Sequence, residues 1–171
     1  MDIISYLRED MRWAHEWLEA TMQDVTQEQL DWQPPGKANP LGATYAHSLC
    51  SEDAIVHKLL VGNQPLFESE WKEKTGISDP RWGSEFEWAR EVKVDLEAAR
   101  QYAEAVYGST DDYLASLELA DLDRVLDLSD IGFGEKKAAF IFSSLISAHA
   151  SNMTGEISTL KGLQGAKGYP G

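Results

Sequence analysis

Apolar residues recur at alternating three- and four-residue spacing through several long stretches of this chain, a period that commits those stretches to amphipathic helices. The first runs from about Asp2 to Met22. Ile4, Leu7, Met11, Ala14 and Leu18 form one stripe, Trp13 and Trp17 widen it, and Arg8, Glu9, Arg12, Glu16 and Glu19 lie toward the other face. His15 falls off the stripe beside those acids and reads as a surface or rim histidine. A second segment, from Leu41 or Gly42 to Val61, carries two apolar stripes. Tyr45, Leu49, Val56 and Leu59 make one; His47, Cys50, Ala54, His57 and Val61 make the other. Such a helix belongs between two neighbours, and Gly62 with Asn63 stops it. The third, from Glu85 to Val106, turns Phe86, Ala89, Val92, Leu96, Ala99 and Val106 inward; Gly108 interrupts it before a further turn or two from Asp111 to Leu119. The last begins near Glu135 and ends at Gly162 or Gly165.

The connections carry their own signals. Thr26 and Gln29 have capping-box spacing for one short helical turn that Pro34 and Pro35 end, and Trp32 is placed to lid whatever lies beneath the loop that follows. Residues 64–84 shift to Pro, Gly, Ser and charge, with Trp71 and Trp82 as anchors, which makes a long crossover connection. Alternation over Val125–Leu128 predicts a short extended piece, and Gly132 and Gly134 mark a turn. These elements predict an all-α fold, a four-helix bundle with a long connection between its second and third helices. It forms a single domain over residues 1–165, with a mobile tail at 166–171.

Charge and composition exclude several functions. With 171 residues the chain has room for one sizeable core, and a formal charge of −14 from 29 acidic and 15 basic residues would repel a phosphate backbone. Direct nucleic-acid binding is therefore not expected. Cys50 is the only cysteine, so no intrachain disulfide forms, in keeping with a reducing compartment. Charged residues break every apolar run at the N-terminus, and nothing approaches the ~20 apolar residues of a spanning helix. A cytoplasmic protein without membrane contact is the expectation.

Neither a phosphate-binding glycine loop, a Gly-x-Ser-x-Gly elbow nor a Cys-x-x-Cys pair is present, and inward Glu-x-x-His pairs of the di-iron kind are missing. What remains is the closing helix. Phe142, Ile146, His149, Met153, Glu156 and Leu160 share one stripe, so two ionisable groups interrupt a face that should meet a core, and such groups need a partner or an ion. On the second helix His47 and His57 lie about 15 Å apart along the axis and cannot share a metal. His47, beside the loop, is the one placed for solvent access; His57 reads as structural or exposed.

The order of Trp-x-x-x-Trp in the first helix, VTQEQLDWQPP, a loop leading to ATYAHSLCSEDAIVHKLLVG, and a closing HASNMTGEISTLKGLQG resembles the DinB-like superfamily of four-helix bundles over nearly the whole chain. The resemblance implies a divalent metal held by three histidines. Carried over, it gives His47 and His149 as ligands and puts Met153 at the third position. A thioether is a weak ligand for zinc or nickel, so either ion would be weakly held or absent. Three readings follow. The metal survives with Glu156 acting through water, since Glu156 lies ~10 Å along the helix from His149. Or the metal is lost and the histidines stay as a hydrogen-bonded pair in a ligand pocket with Asn152 and Glu156. Or both are satisfied core residues of an inert bundle. In function, the resemblance implies a small-molecule-binding, stress-associated homodimer with a degenerate metal site, or else a metal-dependent S-transferase or isomerase using a low-molecular-weight thiol. In that second case Glu156 or Tyr45 would orient the substrate. The sequence assigns no catalytic residue.

Overall fold

The computed structural model describes residues 2–170. Asp2 opens the first helix, its carboxylate accepting the Ser5 N–H at 2.8 Å, and α1 spans Ile3–Met22. Thr26 and Gln29 close the predicted capping box at the start of α2, Gln27–Asp31. The long second segment is α3, Leu41–Ala54, continued by π-helical turns over Ile55–Val61 until Gly62 adopts φ +85° and ends it. Next come α4, Phe86–Glu91, and α5, Leu96–Ala115. A hairpin pairs β1, Val125–Leu128, antiparallel with β2, Gly134–Lys137, placing Val125 opposite Lys137 and Leu128 opposite Gly134. The chain closes with the short α6, Ala138–Phe140, a π-helical stretch Ile141–Ser147, and α7, Ala148–Leu163.

Four of these build the bundle. α1 packs on α7 and α5, and α3 packs on the same two helices. Leu18, Met22, Leu49, Val106 and Ile157 fill one half of the interior, and Leu7, Met11, Leu114, Phe142 and Ile146 fill the other. Each such side chain contributes about 1.5–3 kcal/mol on burial. The result is the expected all-α bundle, decorated by one hairpin. Among the described residues no helix is long and apolar enough to cross a membrane.

Several local expectations change. The third helix does not run unbroken from Glu85: it stops at Glu91, Val94 pairs with Ile77 across the long connection, and Asp95 recaps the chain by accepting the Ala98 N–H. The β-branched Val92 and Val94 favour that extended interlude. Gly108 interrupts nothing, since α5 continues through it to Ala115. Glu135 belongs to β2, and the last helical run starts only at Ala138. On α1 the faces also differ. Trp13 is 57% exposed, whereas His15 is buried and Glu19 half-buried, because α1 meets α5 as well as α7 and so has two inward faces. After α7 the tail segment turns back, and Tyr169 stacks on Trp17 at 5.7 Å, which in turn stacks on Trp13 at 5.8 Å.

The long connection is tied down by one buried acid. Asp53 on α3 accepts the backbone N–H groups of Leu66 at 2.8 Å and Phe67 at 3.0 Å, and the Tyr102 hydroxyl of α5 at 2.6 Å. Removing the carboxylate orphans all three donors in the core. Asp53→Ala is therefore expected to lower unfolding free energy in urea by about 3–5 kcal/mol, and Asp53→Asn by less because the amide oxygen still accepts.

Candidate functional site

α3 and α7 bring His47 and His149 together. Their Nε2 atoms lie 3.2 Å apart with the rings nearly perpendicular, at 83°. His47 Nδ1 is 3.2 Å from the Ser51 hydroxyl one turn along α3. Burial lowers the pKa of both rings, and the nearness of His47 adds to the effect on His149, bringing it down to about 4. The pair is thus neutral at pH 7. One ring donates its Nε2–H and the other accepts, which leaves a single shared hydrogen between two nitrogens.

The pair forms the polar floor of a cavity of about 620 Å³. Ser51, Ser144, Asn152 and Glu85 add polar lining groups; Ile55, Trp82, Phe140 and Leu145 make its apolar wall, joined by Ile131 and Phe133 from the hairpin turn. Both π-helical stretches border it, through Ile55 on one side and Ser144 and Leu145 on the other. An extra residue in a helical turn widens the helix and shifts its register, which is how such turns come to line sites.

The residues expected at this site are distributed unevenly. Asn152 lines the cavity, one turn from His149. Glu156 is exposed and lines a neighbouring cavity of about 820 Å³ that Asn152 and Tyr169 also border; partial burial raises its carboxyl pKa. The buried face of α7 centres on Ala150, Met153, Ile157 and Leu160, so His149 and Glu156 sit at its edge rather than on an inward stripe. Met153 is buried one turn from His149. Tyr45 is elsewhere. Two residues before His47 on a helix, it points to the opposite side, where its hydroxyl donates to Glu19 at 2.9 Å. Tyr107 donates to the same carboxylate at 2.8 Å. Beside them His15, taken from the sequence as a rim residue, is 2.9 Å from Glu52 and stacks on Tyr107 at 3.9 Å. The i,i+4 spacing of His15 and Glu19 is the one sequence signal for this second polar cluster.

Trp82, Glu85 and the hairpin residues were not legible as parts of a site, since tertiary contacts and not local spacing carry them to the cavity. Glu85 folds back against Gly83, and both its charge and the Gly83 backbone act on the His47 ring. Among the described residues no three His, Cys, Asp or Glu side chains converge as a metal cluster.

A family model described as the DinB superfamily matches residues 10–149, well over half of the chain and ending at His149. A crystal structure of a conserved protein from Enterococcus faecalis has the same fold. It superposes with a TM-score of 0.80 at 21% identity, covering 96% of this chain and 99% of that one. No curated protein matches the chain.

The histidine pair makes stability depend on pH with a definite sign. The unfolded chain protonates His149 near its ordinary value of 6.5, while the folded chain does so only at about 4, so the unfolded state holds more protons between those values. The contribution of His149 to stability then falls as pH drops from 6.5 to 4. In chelator-treated buffer, the melting temperature of His149→Gln is expected to fall less steeply across that window than that of the wild type.

Proposed function

The chain belongs to the DinB superfamily, and on that premise we propose that it is a small-molecule-binding bundle whose ancestral metal site has lost one ligand. The observation that carries this reading is the direct Nε2–Nε2 hydrogen bond between His47 and His149 at the floor of a largely apolar cavity. Two imidazoles bonded to each other, with a buried thioether at the third position, do not fit zinc or nickel. Those ions want three nitrogen or anionic donors and an open place. A ligand with an apolar body and one polar end suits the cavity. Its body meets Trp82, Phe140 and Leu145, and its polar end meets Asn152 and the histidine pair, which offers one donor or acceptor without charge.

The competing reading is a divalent-metal-dependent thiol S-transferase or isomerase, and Glu85 favours it. Its carboxylate lines the same cavity and its charge acts on the His47 ring; the three side chains do not converge as they stand, so an ion would have to draw Glu85 in to complete a set of two histidines and one carboxylate. As part of the main reading the protein works in the cytoplasm as a homodimer, without contact to nucleic acid. The exposed Ile3, Tyr6 and Trp13 on α1 support self-association, and the charge of −14 supports the absence of nucleic-acid contact.

Titration calorimetry with zinc and nickel on tag-free protein separates the two. We expect no stoichiometric binding by the wild type or by Glu85→Gln, and affinity at least about tenfold higher in Met153→His, where the third nitrogen is restored. Stoichiometric wild-type binding that is lost in both His149→Ala and Glu85→Gln would establish the metal reading instead. In parallel, compounds with an apolar body and one polar end should raise the melting temperature of the wild type and not that of Leu145→Arg, whose side chain fills the cavity.

A further inference from the structure

Away from the histidine cavity, three side chains stand in line where the π-helical end of α3 meets α5. Asp53 Oδ1 is 2.8 Å from His57 Nδ1, and His57 Nε2 is 2.9 Å from the Ser109 hydroxyl oxygen. In the neutral form of His57 the direction of each hydrogen bond follows from its neighbours. His57 Nδ1 also faces the Asp53 backbone carbonyl at 3.1 Å, which only accepts, so the ring carries its hydrogen on Nδ1. In that neutral ring Nε2 is a bare lone pair, and Ser109 donates its hydroxyl hydrogen to it. The carboxylate cannot swing away, because Leu66, Phe67 and Tyr102 hold it by three further hydrogen bonds. A serine that donates to an imidazole oriented by a fixed acid is the arrangement that activates a hydroxyl for attack. Ser109 and His57 are only half-buried. Reagents can therefore reach the hydroxyl.

We infer that Ser109 is a nucleophilic serine, covalently captured by activated acyl esters and phosphonyl donors with His57 as its base and Asp53 orienting the ring. In the acyl case the Ser109 oxygen attacks the ester carbonyl and its proton passes to His57 Nε2. The ester C–O bond then breaks, and the alcohol or phenol leaves with that proton. The product is a Ser109 ester and a neutral His57, with no oxidation or reduction. Capture outruns release. Ser109 lies inside α5, where its own N–H is committed to the helix and does not point at a developing oxyanion. The site takes up one acyl group and turns over slowly.

A fluorophosphonate probe and p-nitrophenyl acetate test this on the full chain, read by intact mass, peptide mapping and nitrophenol release. One adduct is expected, on the peptide containing Ser109, with a burst of about one equivalent of nitrophenol. Ser109→Ala should abolish it, and His57→Gln should slow it at least about 100-fold, the range lost with a general base. The wild-type peptide map stands even if a variant folds poorly. The inference is overturned if the wild type gains no adduct, if the adduct maps to another residue such as Ser144 in the histidine cavity, or if folded His57→Gln reacts at the wild-type rate. That last result would leave the line of three as a clasp between α3 and α5.

Discussion

The register of the bundle rests on two adjacent carboxylates buried on α3. Glu52 and Asp53 are only 4% and 0% exposed, and an uncompensated charge at such depth costs several kcal/mol. They point in different directions, and each is matched by a different set of elements. Glu52 reaches His15 on α1 at 2.9 Å and the Thr110 hydroxyl of α5 at 2.6 Å. Asp53 takes the connection at Leu66 and Phe67, the Tyr102 hydroxyl, and His57. A helix slipped by one residue would leave both acids unmatched. Apolar packing alone tolerates such slips far better than buried charge does, so these two residues select one alignment of α1, α3 and α5 among several that would bury similar area.

With α3 fixed in this way, the direction of everything else on it follows. His47, Ser51 and Ile55 recur one turn apart and line the cavity shared with α7. Tyr45 and Glu52 serve the polar cluster with α1 and α5, while Asp53 and His57 serve the contact with α5 and the connection. The helix is buried nearly all round, yet its polar groups are sorted by direction into separate hydrogen-bonded sets. The set facing α7 borders the cavity of about 620 Å³, and the cluster with α1 and α5 borders a smaller one of about 340 Å³ lined by His15, Glu19 and Tyr107.

The helical skeleton could be read from the sequence because helix period, caps and stops are local. Asp2, the Thr26–Gln29 box and Gly62 all act where the spacing puts them. The break between α4 and α5 was illegible for the opposite reason. Residues 85–106 keep a helical period throughout, and what stops the helix is the pairing of Val94 with Ile77, a residue 17 positions earlier. His15 and Glu19 were misplaced because one apolar stripe reveals only one neighbour, and α1 has two. At the cavity, His149 stood out as an ionisable residue on an apolar stripe, His47 by its place beside the loop, and the resemblance paired them, whereas Trp82, Glu85, Ile131 and Phe133 come from segments whose positions are set by tertiary contacts alone.

The histidines also show how surroundings decide what the same side chain does. Burial beside another imidazole depresses His149 and keeps the cavity floor neutral, while Asp53 raises His57 and favours its charged form. Acidification therefore strains the first site and strengthens the second. A neutral histidine pair can be buried without an ion when each ring is the other's partner. Each ring satisfies the other, so neither is left as a buried orphan, and Met153 is buried one turn away without adding a polar group. The hydrogen bond between the rings holds the cavity floor together without an ion, and the apolar wall of Trp82, Phe140 and Leu145 stands on packing alone.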